Sequence, residues 1–512
     1  MGRAGEANTG EASATDRDEQ DPGLPIKFGP CSNGEYEPEP LSPVVTEAIR
    51  LARERSEWNA RRLAMSRREF LLSMMGAATT LLALDACSRE EARSRPHPTR
   101  RGPTEPGGTY EIPPDATMDP DEAEGAVGGE EFVFDIQGHL LEYDFRPVLN
   151  GEDFWRAFPQ QNCGEDDPRD CYSIERFLGE FFLRSDTSMI VLSALPIHPE
   201  GSPLSMAVME ETRRLAEALC RDERILLHAQ ALPNVGPPAA SLQAMAEVVD
   251  RHPVVAWKTF THFPDAFEAG ENGWWLDDHE PGVAQVGEAF IERCVELGVP
   301  TICSHKGLSN GSRFASPADI GPAARRHPEA NFVAYHSGFE AGVTEGPYTR
   351  ATRGVGVNRL ISSIRGNGVR PNSNVYAEIG STWWYVMRSP TQAAHVLGKL
   401  LRYVGQDNVL WGTDSIFYGS PQDQIQAFRS FQISEEFQER YGYPKLTKEI
   451  KAKVLGLNGA RLYGVDPASA PCRFTRRELE RIRRALPAEN RTYGPTTSAE
   501  VAAFRADHQG WP

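Results

Sequence analysis

Several things are missing from this 512-residue chain, and each absence removes a class of function. Its eight cysteines, at 31, 87, 163, 171, 220, 294, 303 and 472, form neither a CxxC pair nor a zinc-knuckle spacing. A metal held by sulfur is therefore not expected. Positive charge is scarce: 54 Lys and Arg stand against 72 Asp and Glu, a formal net charge of −18. That argues against a nucleic-acid partner, because phosphate binding needs a basic face. No internal repeat is visible. The first strand-like run is not followed by GxGxxG, so the usual mark of a dinucleotide-binding sheet is missing. Cys163 and Cys171, eight positions apart in a polar loop, leave two readings open: a disulfide in an exported protein, or two free thiols.

What is present is a series of eight apolar, β-rich runs, at 132–136, 188–195, 224–232, 254–260, 300–305, 331–336, 374–380 and 408–414. Apolar residues at helical spacing fill the stretches 206–222, 241–252, 286–298 and 391–405 between them. Strands alternating with helices predict an α/β fold, a parallel (β/α)8 TIM barrel over 131–466. The first two runs lie about 50 residues apart, room for an active-site loop or small subdomain. Residues 467–512, with the basic stretch RRELERIRRAL and a Pro/Gly-rich tail, read as a C-terminal helix and tail that cap the barrel or dock a second subunit of a homodimer.

The first 130 residues have a different texture. Residues 1–43 are polar and rich in Gly, Pro and Glu, which predicts no fixed structure. Residues 44–64 read as a charged helix and complete an N-terminal extension, 1–64. In 65–87, Arg67 and Arg68 stand just before Phe70, and the apolar run SMMGAATTLLALDAC follows. That run is short of the roughly 20 residues a membrane span needs. The segment resembles a twin-arginine export signal, which implies the export machinery as a partner and a periplasmic or membrane-anchored protein. Leu84–Cys87 also resembles a lipoprotein processing site, with Cys87 as the lipidated residue and Asp85 atypical. Met65 directly precedes the signal, so residues 1–64 are either a real extension or the product of a start site placed too early. Residues 88–130, with clustered Pro, Gly and charge, read as a linker.

The stretch Glu131–Asp144, EFVFDIQGHLLEYD, brings chemistry into the pattern. Strand side chains alternate faces, so Gln137 and His139 point the same way where the first run ends. The fifth run ends in His305, the sixth in His336 and the eighth in Asp414. Nitrogen and oxygen donors of this kind suit zinc, manganese or iron better than calcium. Polar groups at C-terminal strand ends are also how a barrel builds its site.

FDIQGH, CSHKG, AYHSG and LWGTD, followed by KVLGLNGARLYGV at 453–465, resemble in order the motifs of the amidohydrolase-related family of the metal-dependent amidohydrolase superfamily. Its relatives include aminocarboxymuconate-semialdehyde decarboxylase and the resorcylate-type decarboxylases. The resemblance implies one divalent metal, zinc foremost with manganese or iron as alternatives, held by Gln137, His139, His305 and Asp414. It implies His336 as acid/base or further ligand, and Asp414 as a second proton-moving group. Gln137 departs from the family, which has His or Glu there. Two-metal relatives bridge their ions with a carboxylated Lys on the fourth strand, and Lys258 lies nearby. With Gln137 in place a single metal is expected, leaving Lys258 to bind a substrate carboxylate or to pair with a buried acid.

His262, Trp383 and Trp384 follow strand ends and are further candidates for contact with a small-molecule substrate, together with His228 and the pair Trp274–Trp275. The implied chemistry is hydrolysis of an amide, ester or lactone by metal-activated water. Non-oxidative decarboxylation of an aromatic or unsaturated acid is the second reading. A metal-free barrel that only binds a ligand is the third.

Overall fold

The computed structural model describes residues 21–94, 105–142, 163, 165, 167–197, 202–220, 223–263, 273–308, 311–469 and 490–507. Eight strands form one parallel sheet in sequence order: β2 Val133–Gly138, β3 Thr187–Ser193, β4 Ile225–Ala231, β5 Val254–Thr259, β6 Thr301–His305, β7 Asn331–Tyr335, β8 Val375–Glu378 and β9 Val409–Leu410. Each coincides with one of the eight apolar runs. The ring closes between the last strand and the first: Ile136 N donates to Trp411 O, Asp414 N to Gln137 O and His139 N to Ser415 O. The fold is the (β/α)8 barrel the alternation predicts.

Alternation of side chains fills the barrel from within. Phe134, Ile136, Met189, Val191, Leu226, Ala256, Cys303, Val333, Tyr335, Tyr376 and Leu410 form one interior cluster. Ala460 and Tyr463, on the closing helix Asn458–Tyr463, seal its lower end. The other strand faces pack outward on helices that include Met206–Cys220, Pro238–Arg251, Gly287–Glu296 and Pro390–Tyr403. Cys163 and Cys171 are joined as a disulfide. The insert after β2 lies outside the described residues from 143 to 162, as do Cys472 and the RRELERIRRAL stretch.

Two expectations about the N-terminal third need correction. Residues 88–130 are not simply a linker. The helix Met74–Ser94 runs into this stretch, β1 Gly108–Tyr110 pairs antiparallel with β10 Phe431–Ile433, and Asp119 caps the helix Pro120–Val127. Residues 21–43, expected to lack structure, also lie on the barrel, with Ile26, Phe28, Cys31 and Tyr36 buried in the main core. The sequence looked like a polar tail because its few apolar residues are spaced between Gly and Pro.

The segment that reads as an export signal is part of the same body. Ser66 and Glu69 form a capping box that starts the helix Arg67–Leu71, and Arg67 pairs with Asp21. In Met74–Ser94 the residues Ala77, Ala78, Leu81 and Leu84 are buried beside the helix Pro43–Arg62. Each fully buried leucine contributes roughly 1.5–3 kcal/mol, so the apolar stripe has protein to cover it. Asp85 is buried and accepts from Tyr110 N, whereas Cys87 is a half-buried free thiol. Among the described residues no helix is long and apolar enough to cross a membrane.

Candidate active site and metal centre

The C-terminal strand ends bring His139, His305, His336, Asp414, Gln137 and Lys258 to one mouth of the barrel, all buried. Backbone there is held in unusual shape. His336, Ser381 and Asp414 have φ of 60°, 52° and 57°, in the left-handed region. Non-glycine residues in such positions store on the order of 1–3 kcal/mol each and cluster at functional sites. Glu378 fixes part of this shape. Its Oε2 accepts from His336 N at 3.0 Å, its Oε1 accepts from Gly380 N, and burial pushes its carboxyl up to about 8.

One half of the site is fully engaged. Asp414 Oδ1 accepts from Gln137 Nε2 at 2.8 Å and lies 3.2 Å from His139 Nε2. Its Oδ2 accepts from Asn33 Nδ2 and from Ser381 Oγ, each at 2.6 Å. His139 Nδ1 donates to Ser193 O at 2.7 Å, which fixes the ring. Burial acts to raise the Asp414 carboxyl, but the hydrogen bond with His139 and the nearby His336 outweigh it and hold the group below its ordinary value.

The other half is not engaged. Neither ring nitrogen of His305 or of His262 makes a hydrogen bond, nor does His336 Nε2. The three rings stand in a row, with centroids 4.7 Å apart from His262 to His305 and 4.6 Å from His305 to His336. Burial pushes His262 down to about 3 and His336 down to about 4, and His305 well below its ordinary value, so these rings are neutral acceptors.

Facing them is a residue that the motifs did not reveal. Glu35, on the N-terminal arm, places Oε1 3.4 Å from His305 Nδ1 and Oε2 3.7 Å from His336 Nε2. Asn33 Nδ2 donates to Glu35 Oε2 at 2.7 Å as well as to Asp414, tying the two carboxylates together. Burial and the Asp414 charge push the Glu35 carboxyl well up. Ligand atoms of Glu35, His305 and His336 all lie within 4.8 Å of one another. A carboxylate and two neutral imidazoles, His305 with both ring nitrogens and His336 with Nε2 free of hydrogen bonds, form a donor set that fits a divalent ion of the zinc, manganese or iron type. Ser381, Asn33 and Glu378 were also missed: Asn33 and Ser381 lie outside the strands, where a polar residue carries no signature, and Glu378 is a single acid at the end of an apolar run.

Lys258 lies at the inner edge. Its Nζ sits 3.5 Å from the Tyr335 ring centroid and 5.0 Å from that of Phe260, with no hydrogen bond or salt bridge among the described residues. Burial lowers it to about 8, against the pull of Asp414 and Glu35. A cleft of about 570 Å³ reaches Glu35 from outside, walled by Tyr36, Leu308, Arg313, Glu340 and Arg359.

Other candidates lie elsewhere. His228 is not at the mouth: it sits in the barrel interior between the hydroxyls of Tyr335 and Tyr463, at 3.1 and 2.9 Å. Trp383 turns away from the site, packing on Phe428 and Phe431 while its Nε1 donates to Gln424 O. Trp384 stacks on Tyr418, whose hydroxyl meets Ser381 Oγ at 2.6 Å, so it backs the site without lining it. Trp274 and Trp275 close loops over Phe290 and Phe314. In each case the large apolar ring found more surface to bury in the core than at the mouth.

A family profile described as "Amidohydrolase" matches residues 206–465, just over half of the chain, and the chain belongs to that family. The family commonly binds a divalent metal, which agrees with the donor set of Glu35, His305 and His336. No curated protein sequence matches the chain. Among solved structures, 5-carboxyvanillate decarboxylase from Sphingomonas paucimobilis is 13% identical, covering 66% of this chain and 100% of its own, with a TM-score of 0.37. A candidate 2-pyrone-4,6-dicarboxylic acid hydrolase from Pseudomonas putida is 15% identical, covering 66% and 98%, with a TM-score of 0.37. For 2,6-dihydroxybenzoate decarboxylase from Rhizobium the values are 14%, 65%, 99% and 0.37.

Proposed function

We propose that the chain is a metal-dependent hydrolase that cleaves a C–N or C–O bond, in an amide, ester or lactone, of a small organic substrate bearing a carboxylate. The observation that carries this reading is the side-by-side placement of a disengaged Glu–His–His set and an engaged Asp414–His139 pair. When bound, a divalent ion supplies Lewis acidity: it makes water acidic near neutrality and stabilises charge developing on a carbonyl oxygen. Asp414, held ionised, takes the proton from the attacking water, and His139, 3.2 Å away, shares it. His305 and His336 serve the cation. Lys258, with no anionic partner among the described residues, pairs with the substrate carboxylate and sets its orientation. The cleft above Glu35 is the approach from solvent.

Lys258 also supports a second reading, non-oxidative decarboxylation, because a buried ammonium would grip the carboxylate that leaves. The test is a panel of carboxylate-bearing lactones, amides and esters run beside aromatic acids, scored for hydrolysis product and for released CO2. Hydrolysis supports the first reading, whereas CO2 release without hydrolysis would replace it by the second. In the active case Lys258→Met raises KM for the carboxylate substrate by at least ~10-fold and leaves a neutral analogue within ~2-fold, the loss of one charge-assisted contact of about 1.5–3 kcal/mol.

Location is a separate proposal. Export by the twin-arginine route is supported by the Arg67–Arg68–Glu69–Phe70 order and by the Cys163–Cys171 disulfide. Because the apolar helix is packed into the domain, it would travel with folded cargo. Fractionating cells that carry the native chain or the Arg67→Lys/Arg68→Lys double variant tests this. Protein found in the cytoplasm in both cases would rule export out.

A further inference from the structure

We propose that Glu35, carried by the N-terminal arm 24–37, is the anionic ligand of the divalent ion and takes the place that Gln137 leaves at the end of β2. This rests on the site holding a divalent ion at all.

Gln137 is turned the wrong way for the task. Its amide nitrogen is the group that faces Asp414, donating to Oδ1 at 2.8 Å and lying 3.4 Å from His139 Nε2. An N–H donor cannot bind a cation, and the hydrogen bond to a carboxylate fixes which end of the amide is which. Its oxygen makes no hydrogen bond. The strand therefore offers the metal a neutral, occupied side chain where an imidazole or carboxylate is needed.

Glu35 supplies the missing charge from a different part of the chain. It is 4% exposed, and its two oxygens approach imidazole nitrogens that have no hydrogen bond of their own. Burying a carboxylate with no cation to balance it is costly, by several kcal/mol. Lys258, whose charge acts on it, makes no salt bridge to it among the described residues. A divalent ion between Glu35, His305 and His336 removes that penalty and gives His336 Nε2 and one ring nitrogen of His305 a partner.

The arm is built to hold this residue in place. Lys27 makes a buried salt bridge with Asp423 at 3.2 Å, and its Nζ donates to Ser420 O at 2.6 Å. Ser32 N donates to Pro495 O at 2.8 Å, and Arg505 Nε to Gly34 O at 2.7 Å. Inside the turn, Glu35 N donates to Asn33 Oδ1 at 3.0 Å while Tyr36 OH reaches Cys31 O and Tyr418 OH. The arm is pinned on both sides of Glu35, which suits a resident ligand better than a flap that opens for substrate.

The test uses the full chain as wild type, Glu35→Gln, Glu35→Asp and Gln137→Ala. Each is stripped with a chelator and titrated with Co(II), read by visible absorption, and its as-purified metal is measured by elemental mass spectrometry. We expect wild type and Gln137→Ala to bind one Co(II) with affinities within ~3-fold of each other. Glu35→Gln should bind at least ~10–100-fold more weakly, no less than the loss of a supporting contact costs a metal site. Glu35→Asp keeps the charge at shorter reach, so it should retain the ion with an altered spectrum; it carries the test should Glu35→Gln fail to fold. Wild-type affinity and spectrum in both Glu35 variants would overturn the assignment and leave the metal reading intact. Loss of the ion in Gln137→Ala would overturn it too, by making Gln137 the ligand. No Co(II) or native metal in the wild type would fail the metal reading itself.

Discussion

The two halves of the site are built on opposite principles. Around Asp414 both carboxylate oxygens are engaged: Gln137, Asn33 and Ser381 donate to them and His139 stands beside them. Around His305 the ring nitrogens have none, although the residues are as deeply buried. A satisfied buried network rigidifies and stabilises, and an unsatisfied one costs energy unless something absent in isolation completes it. The contrast teaches that the first half serves the fold as well as the reaction, while the second is kept for a guest. It also assigns different consequences to changes in each.

The largest effect on the unliganded protein should come from Asp414→Ala. It strands the buried amide donors that Gln137 and Asn33 aim at Asp414, at roughly 1–3 kcal/mol for each left unsatisfied, while Ser381 keeps the Tyr418 hydroxyl. A total of about 3–5 kcal/mol in urea unfolding is expected, and a loss below about 1 kcal/mol would break the distinction between the halves. Next comes removal of the ion. A metal present at 100 times its dissociation constant stabilises the native state by about 2.7 kcal/mol, so chelation should lower the free energy of unfolding by that much. Asn33→Ala follows, at about 1–3 kcal/mol, because its amide bridges Asp414 and Glu35. The smallest effect is expected from His305→Gln: in chelated protein within about 1 kcal/mol of wild type, since no hydrogen bond is lost. The same variant should no longer respond to added metal. A His305→Gln chain that chelation still destabilises would place the ion elsewhere.

Much of this was legible in the sequence, and the parts that were not share a cause. The barrel could be read because each strand is a local apolar run, and His139, His305, His336 and Asp414 could be read because they sit at the ends of those runs. Lys258 and His262 were found by the same logic. Glu35 escaped because the stretch CSNGEYEPEP carries the composition of a solvated tail, and its apolar anchors Leu24, Ile26 and Phe28 span only five positions. Nothing local marks a contact made across 381 residues, as between Asn33 and Asp414. The tryptophans misled for a related reason: an aromatic after a strand looks the same whether it faces the mouth or the outer helices, and only the packing of Phe428 and Phe431 decided it for Trp383. The apolar run at 73–87 is ambiguous in the same way, because a stripe that suits a signal also suits a helix buried on Pro43–Arg62.

The arm also imposes an order in time. A ribosome delivers Glu35 well before the groups it must meet, for His305, His336 and Asp414 follow it by 270 to 379 residues. Contacts of such long sequence separation form late, because the loop they close is entropically expensive. The nascent chain therefore carries a carboxylate that waits through the growth of the whole barrel. Only when the last strand has joined the first does that carboxylate find its histidines, and any truncated chain released before Asp414 would lack the enclosure. Closure of the barrel and enclosure of Glu35 become the same event.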